Sequence, residues 1–242
     1  MQALKATGLV KRYKELIAVD HLDLEIHSGE LFSLLGINGA GKTTTIKMLT
    51  GLTRLSEGDA TVGGFSLSEH PEQVKRIIGV SPQETAIAPN LSVRENLELI
   101  CGIHGFSKEK TAERLAALSA DFALESVWNR KAGKLSGGWQ RRVSIAMALI
   151  SEPRILFLDE PTLGLDVIAR RELWDRIRAM KGKITVILTT HYMEEAEALS
   201  DRVGIMKDGR LLAVGTPEEL KQRVGADDFE TAFISLVREG TL

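Results

Sequence analysis

Leu22, Leu24 and Ile26 alternate with Asp23, Glu25 and His27, the period of two expected of a strand with one wet face. Ser28-Gly29-Glu30 supplies a turn, and Leu31–Leu35 then runs apolar without alternation, as a strand buried on both faces does. Residues 44–51 read as the helix that follows, and residues 58–64 as a short strand and tight turn. From about residue 90 the period changes. Ser92-Val93-Arg94-Glu95 has the spacing of a capping box ahead of an apolar stretch ending at Ile100. A second helix covers 108–118, and Gly137-Gly138 interrupts the chain before a third that reaches Ile150. Strand character returns at 155–158, a helix at 169–180, and a β-branched strand at 184–190. Asp208-Gly209, between apolar runs at 203–207 and 210–214, marks a hairpin. Thr216-Pro217-Glu218-Glu219 joins a cap, a proline at the first helical position and a box-closing acid. After the turn-rich residues 225–228, a small helix over 229–237 is expected to pack on the core.

This pattern predicts an α/β core with a helical lobe inserted at about 90–150 and a short C-terminal helical extension at about 216–242. The 242 residues suffice for one core with such a lobe, 43% are apolar, and no internal repeat divides the chain, so 1–242 reads as a single domain. No apolar run approaches the roughly 20 residues that span a bilayer, and the N-terminus lacks the basic-then-apolar form of a secretory signal. A cytoplasmic protein that meets a membrane only through a partner or at its surface is therefore expected. Cys101 is the one cysteine, which excludes an internal disulfide or a multi-cysteine metal site and suggests a small core or helix residue. Lys and Arg total 31 against 33 Asp and Glu, a net charge of −2 that offers no global attraction to nucleic acid. Arg141-Arg142 and the basic residues of 130–134 read as local solvated faces or nucleotide contacts.

Between the strand at Leu31–Leu35 and its following helix lies Gly36-Ile37-Asn38-Gly39-Ala40-Gly41-Lys42-Thr43, a complete Walker A sequence. Its glycines let the backbone curl so that N–H groups and the helix N-terminus face a phosphate chain. Asn38, Gly39, Gly41 and Thr44 belong to that predicted cradle, Lys42 reaches the β- and γ-phosphates, and Thr43 offers a hydroxyl to Mg²⁺. The competing reading, a glycine-rich turn with an accidental Gly-Lys-Thr, does not explain the strand before it and the helix after it. ATP or GTP binding follows. Leu156-Phe157-Leu158-Asp159-Glu160 ends a second buried strand on two acids. Asp159 is assigned to the Mg²⁺ shell, and Glu160 to orienting or deprotonating the attacking water. His191, just past the 184–190 strand, can donate to the γ-phosphate, and Gln83, past 77–80 and Pro82, can offer its amide oxygen to Mg²⁺ or its water. A solvated acidic turn and a surface histidine are the bland alternatives.

Leu135-Ser136-Gly137-Gly138-Trp139-Gln140 then matches the ABC signature through its second glycine. With both Walker segments in order, essentially the whole chain resembles the ATP-binding subunit of an ABC transporter. The resemblance implies a P-loop ATPase core with an antiparallel β subdomain and an inserted helical subdomain. It implies that Tyr13 stacks on adenine, that Gln83 is the Q-loop glutamine and that His191 is the switch histidine. It further implies that Ser136 and Gly138 bind the γ-phosphate held by a second subunit, and that Asp166, in Leu163-Gly164-Leu165-Asp166, organises the opposing active site. Trp139 stands where glutamine is commoner and Leu163 where serine is; neither change removes a phosphate or metal ligand, but both bear on interface coupling.

The implied activity is Mg²⁺-dependent ATP hydrolysis by two head-to-tail copies, a homodimer, that power a separate integral membrane permease at the cytoplasmic face of the plasma membrane, with no nucleic acid involved. The segment after Gln83, through Pro89 and Leu91, would face the permease or pack between lobes. The C-terminal ending, including Phe229 and Phe233, resembles drug, lipid or polysaccharide exporters. The alternative is a soluble ABC ATPase or ATP-responsive assembly module, such as an iron–sulfur assembly component.

Overall fold

The computed structural model describes residues 2–239; Met1 and the last three residues of the expected 216–242 extension lie outside the described residues. In chain order the elements begin with β1 (Gln2–Tyr13), β2 (Leu16–His27), β3 (Leu31–Leu35), α1 (Lys42–Leu49), β4 (Glu57–Val62), β5 (Phe65–Ser66), α2 (Pro71–Ile77) and β6 (Ile78–Ser81). Three long helices follow, α3 (Val93–Ile103), α4 (Lys108–Phe122) and α5 (Gly137–Ala148). The chain continues through β7 (Ile155–Asp159), α6 (Val167–Arg178), β8 (Thr185–Thr190), α7 (Met193–Leu199), β9 (Arg202–Lys207), β10 (Arg210–Gly215), α8 (Pro217–Val224) and α9 (Phe229–Glu239).

The strands form two sheets. One is antiparallel, in the order β2-β1-β4-β5, and here the alternating Leu22, Leu24 and Ile26 are the buried face of β2. The other runs β10-β9-β3-β8-β7-β6, parallel except for the β9–β10 hairpin. Every residue of β3, β7 and β8 is buried, which is why their sequences do not alternate. Because β3, β8, β7 and β6 are parallel neighbours, the residues that follow them emerge at one edge of the sheet: the glycine-rich loop, His191, Glu160 and Gln83. Topology alone gathers the candidate site.

Local signals act as expected at several places. Ser92 and Glu95 form a reciprocal capping box on α3, and Thr216 and Glu219 form another on α8 behind Pro217. Asp208 and Gly209 both take positive φ, 47° and 80°, as the hairpin turn requires. Cys101 is buried in α3.

Other boundaries differ. α1 starts at Lys42, two residues before the expected helix, and α4 continues to Phe122, four residues past it. Gly137 and Gly138 do not interrupt the chain: they are the first two residues of α5, with Ser136 as its N-cap. A Cβ on Gly138 would lie 3.0 Å from the Ala169 Cβ, so the missing side chain lets α5 approach α6 closely. The seven-residue α2 and α7 had no clear periodic signal. Among the described residues no helix is long and apolar enough to cross a membrane.

Candidate functional site

At the carboxyl edge of the parallel sheet lies a cleft of about 660 Å³, bordered by the loop from Asn38 to Thr44 and by Tyr13, Gln83, Glu160 and His191. The loop can wrap tightly because Gly41 takes φ +100°, and a Cβ there would lie 2.5 Å from the Ala18 carbonyl oxygen. Asn38 and Gly39 are exposed at its tip. Lys42 is buried and donates from Nζ to the carbonyl oxygens of Gly36 (2.8 Å) and Ile37 (3.2 Å). Its Nζ also lies 3.5 Å from Glu160 Oε1. Burial pulls the Lys42 ammonium below its ordinary value, and the Glu160 carboxylate opposes that shift.

Asp159 and Glu160 leave β7 in different directions. Asp159 accepts hydrogen bonds on Oδ1 from Thr43 Oγ1 (3.0 Å) and Thr189 Oγ1 (2.6 Å). Glu160 has a left-handed backbone, φ 47°, held by its N–H donating to Thr189 Oγ1 at 3.0 Å. Its Oε2 accepts from His191 Nδ1 at 2.9 Å. One carboxylate thus faces the helix hydroxyl of the phosphate loop, and the other bridges the loop lysine and His191. The Thr43–Asp159 pair fits a small hard cation: both donors are oxygens, one of them a carboxylate. No group of three or more His, Cys, Asp or Glu able to hold a metal occurs among the described residues.

A family model described as ABC transporter matches residues 19–163, more than half of the chain. The chain belongs to the ABC transporter family. It is 38% identical to the probable multidrug ABC transporter ATP-binding protein YbhF of Escherichia coli K12, over 98% of this chain and 42% of that protein. It is 41% identical to the daunorubicin/doxorubicin resistance ATP-binding protein DrrA of Streptomyces peucetius, over 93% of this chain and 69% of the relative. This ABC chain therefore spans less than half the length of the YbhF protein. Among solved structures, an ATP-binding subunit of an ABC transporter superposes with a TM-score of 0.86 at 30% identity, covering 97% of this chain and 99% of that one. The dimeric post-hydrolysis state of the ATP-binding cassette MJ0796, bound to ADP and Pi, superposes with a TM-score of 0.79 at 27% identity, over 88% and 98%.

The expected residues of this ABC chain fall into two groups. Tyr13, Asn38, Gly39, Gly41, Lys42, Thr43, Thr44, Gln83, Glu160 and His191 share the cleft, and Asp159 joins it through Thr43. Tyr13 is half-exposed, with Lys11 Nζ 4.8 Å from its ring centre. Ser136, Gly138 and Asp166 do not line it. Ser136 is an exposed N-cap whose side chain makes no cap bond, while Asp166 caps α6 by accepting from Ala169 N–H at 2.9 Å. Leu163 borders the cleft. Trp139 packs under the Arg142 guanidinium, 4.6 Å from ring centre to Cζ, and Arg142 pairs with Glu172 of α6.

The reading of Arg141 and Arg142 as a solvated face is corrected: both are buried. Arg141 donates to the carbonyl oxygens of Pro82 (2.6 Å) and Gln83 (2.5 Å), fastening α5 to the segment that carries the candidate Mg²⁺ ligand. Thr189 and Glu195 were also not anticipated. A threonine at the end of a buried strand and an acid four residues past His191 are visible in the sequence, but their partners lie about 30 residues away.

Proposed function

We propose that this chain binds ATP with Mg²⁺ and hydrolyses it between two head-to-tail copies, and that the closing and opening of this pair drive a separate membrane permease. The observation that carries the reading is the three-way contact at Glu160, whose carboxylate meets the phosphate-loop lysine and the histidine beyond β8 in one cleft.

An arriving triphosphate offers Lys42 better acceptors than the carbonyls of Gly36 and Ile37, so the ammonium turns outward to the β- and γ-phosphates. Release of Lys42 frees Glu160 Oε1 to take a proton from, or orient, a water in line with the terminal phosphoryl group. His191 holds the other carboxylate oxygen and can donate to the γ-phosphate as its contact with Glu160 loosens. The Glu160 carboxylate and the imidazole therefore respond to whether a terminal phosphate is present. The Mg²⁺ ion would be held by Thr43, Asp159 and Gln83 and would neutralise charge on the phosphates. Tyr13, at the cleft's border, would stack on the base.

The phosphate's far side needs donors from elsewhere. Ser136, with a free hydroxyl at the N-terminus of the 12-residue α5, and Gly138, in that helix's first turn, are suited to this if a second copy faces the first. That the related MJ0796 cassette is dimeric with ADP and Pi supports a two-copy arrangement, and Asp166 would lie at the same interface. Export is favoured by the roles of the relatives, a probable multidrug transporter protein and a drug-resistance protein. The pair would lie at the cytoplasmic face of the plasma membrane, and the segment from Gln83 to Leu91 would meet the permease.

A phosphate-release assay with ATP and Mg²⁺ tests the reading. Release by the purified chain, alone or with its permease, is expected; a folded, ATP-binding, dimerising sample that releases none would replace the enzyme by an ATP-responsive assembly module.

A further inference from the structure

Two buried side-chain polar atoms among the described residues have no hydrogen-bond partner, Arg170 Nε and Glu195 Oε2. They belong to one network beside the nucleotide cleft. Glu195, on α7 and 0% exposed, accepts on its single oxygen Oε1 from Thr162 Oγ1 and from Trp174 Nε1, each at 2.9 Å. Thr162 lies two residues past Glu160, in a turn closed by Leu163 N–H donating to the Glu160 carbonyl. Trp174 is buried in α6, the helix capped by Asp166. Arg170, also on α6, stacks over the Tyr192 ring at 4.7 Å, and that ring lies 4.1 Å from the His191 ring.

We infer that Glu195 is a positioning residue for hydrolysis, joining the turn after Glu160 and the helix after Asp166 to the helix that follows His191. A fully buried carboxyl is a poor choice for stability alone, since an apolar side chain of similar volume would avoid its desolvation. What an apolar side chain would not do is tie two donors from separate elements to one point. Those elements carry Glu160 and Asp166, and neither donor belongs to the loop that holds the phosphates. Losing the tie lets the Glu160 turn move against His191 while Lys42 and the glycine loop stay in place. Misplacement of a catalytic carboxylate by about an ångström can cost on the order of 100-fold in rate without weakening substrate binding.

The inference rests on the ATPase reading, and the experiment separates the two. Steady-state phosphate release is measured for the wild type, Glu160→Gln, Glu195→Ala, Glu195→Gln and Thr162→Val. Wild-type turnover that Glu160→Gln abolishes secures the parent reading; no wild-type turnover removes that reading and this one with it. Glu195→Ala should then lower kcat by about tenfold or more with KM for ATP within about twofold. Glu195→Gln, which keeps the acceptor oxygen for both donors, should stay within about threefold of wild type. Thr162→Val, which deletes one donor at nearly constant volume, should lower kcat by about threefold and serves if Glu195→Ala does not fold. Wild-type kcat in Thr162→Val and in any folded Glu195→Ala would overturn the inference. So would a KM that rises in step with the kcat loss, or a Glu195→Gln enzyme as impaired as one lacking the carboxyl.

Discussion

Glu160, the catalytic carboxylate of the proposed function, stands under constraint, with a left-handed backbone and a carboxylate divided between Lys42 and His191. Replacing it by Gln keeps the shape and removes the base. Glu160→Gln should retain ATP capture, measured by filter binding, while lowering phosphate release about 100-fold or more; near-normal turnover would contradict its role. Glu195 gives a second residue-scale expectation. Burial raises its carboxyl above the ordinary value, with the side chains of Thr190, Thr162 and Trp174 and the charge of Arg170 opposing that shift. Near the unfolded value of 4.5 and below, both folded and unfolded states hold the proton and burial of charge costs nothing. As pH climbs toward the folded value, the unfolded chain loses a proton that the folded one keeps, so stability falls. Urea denaturation from pH 5 to 7.5 should show Glu195→Gln gaining on wild type as pH rises, by at most about 1.4 kcal/mol per pH unit. A difference that stays flat with pH would contradict the burial effect. Lys42, Thr43, Asp159 and Glu160 were legible because each stands at a fixed offset from a strand end. Thr189 and Glu195 were not, because what defines them is a partner reached only after folding.

At the scale of elements, α5 is read differently by sequence and by structure. Two glycines at its start look like a break, and two arginines look like a solvated stripe. In the fold Gly138 allows the helix to approach α6, and Arg141 and Arg142 are drawn inside because the helix packs against β6, α3, α4 and α6. A helical period tells one face from another only when one face meets water. Arg141 donates to the carbonyls of Pro82 and Gln83, and burial pulls its guanidinium down against the nearby Asp159. Arg141→Met should therefore release the segment from Gln83 to Leu91. Amide hydrogen exchange there should accelerate by about tenfold, corresponding to about 1.4 kcal/mol of lost protection, while exchange in β3 and α1 stays unchanged. Unchanged exchange from Gln83 to Leu91 would remove Arg141 as the anchor. The caps at Ser92 and Thr216, by contrast, were fully legible, since partner and capped helix lie within three residues of each other.

For the whole molecule, unalternated apolar runs and the two acid- or glycine-ended strands were enough to place a parallel sheet and the edge that carries the candidate site. The neighbours β3, β8, β7 and β6 are not consecutive in the chain, and only the structure gives their order. The same holds for the division of the site. One set of residues converges on a single cleft, whereas Ser136, Gly138 and Asp166 face elsewhere, as a site completed by a second copy requires. The most direct measurement is a structure of the Glu160→Gln protein with ATP and Mg²⁺. Two copies are expected to enclose two nucleotides, with Ser136 of each copy at hydrogen-bond distance from the γ-phosphate on the Lys42 of the other. A monomer with ATP fully bound, or a closed pair in which Ser136 stays far from that phosphate, would contradict the account.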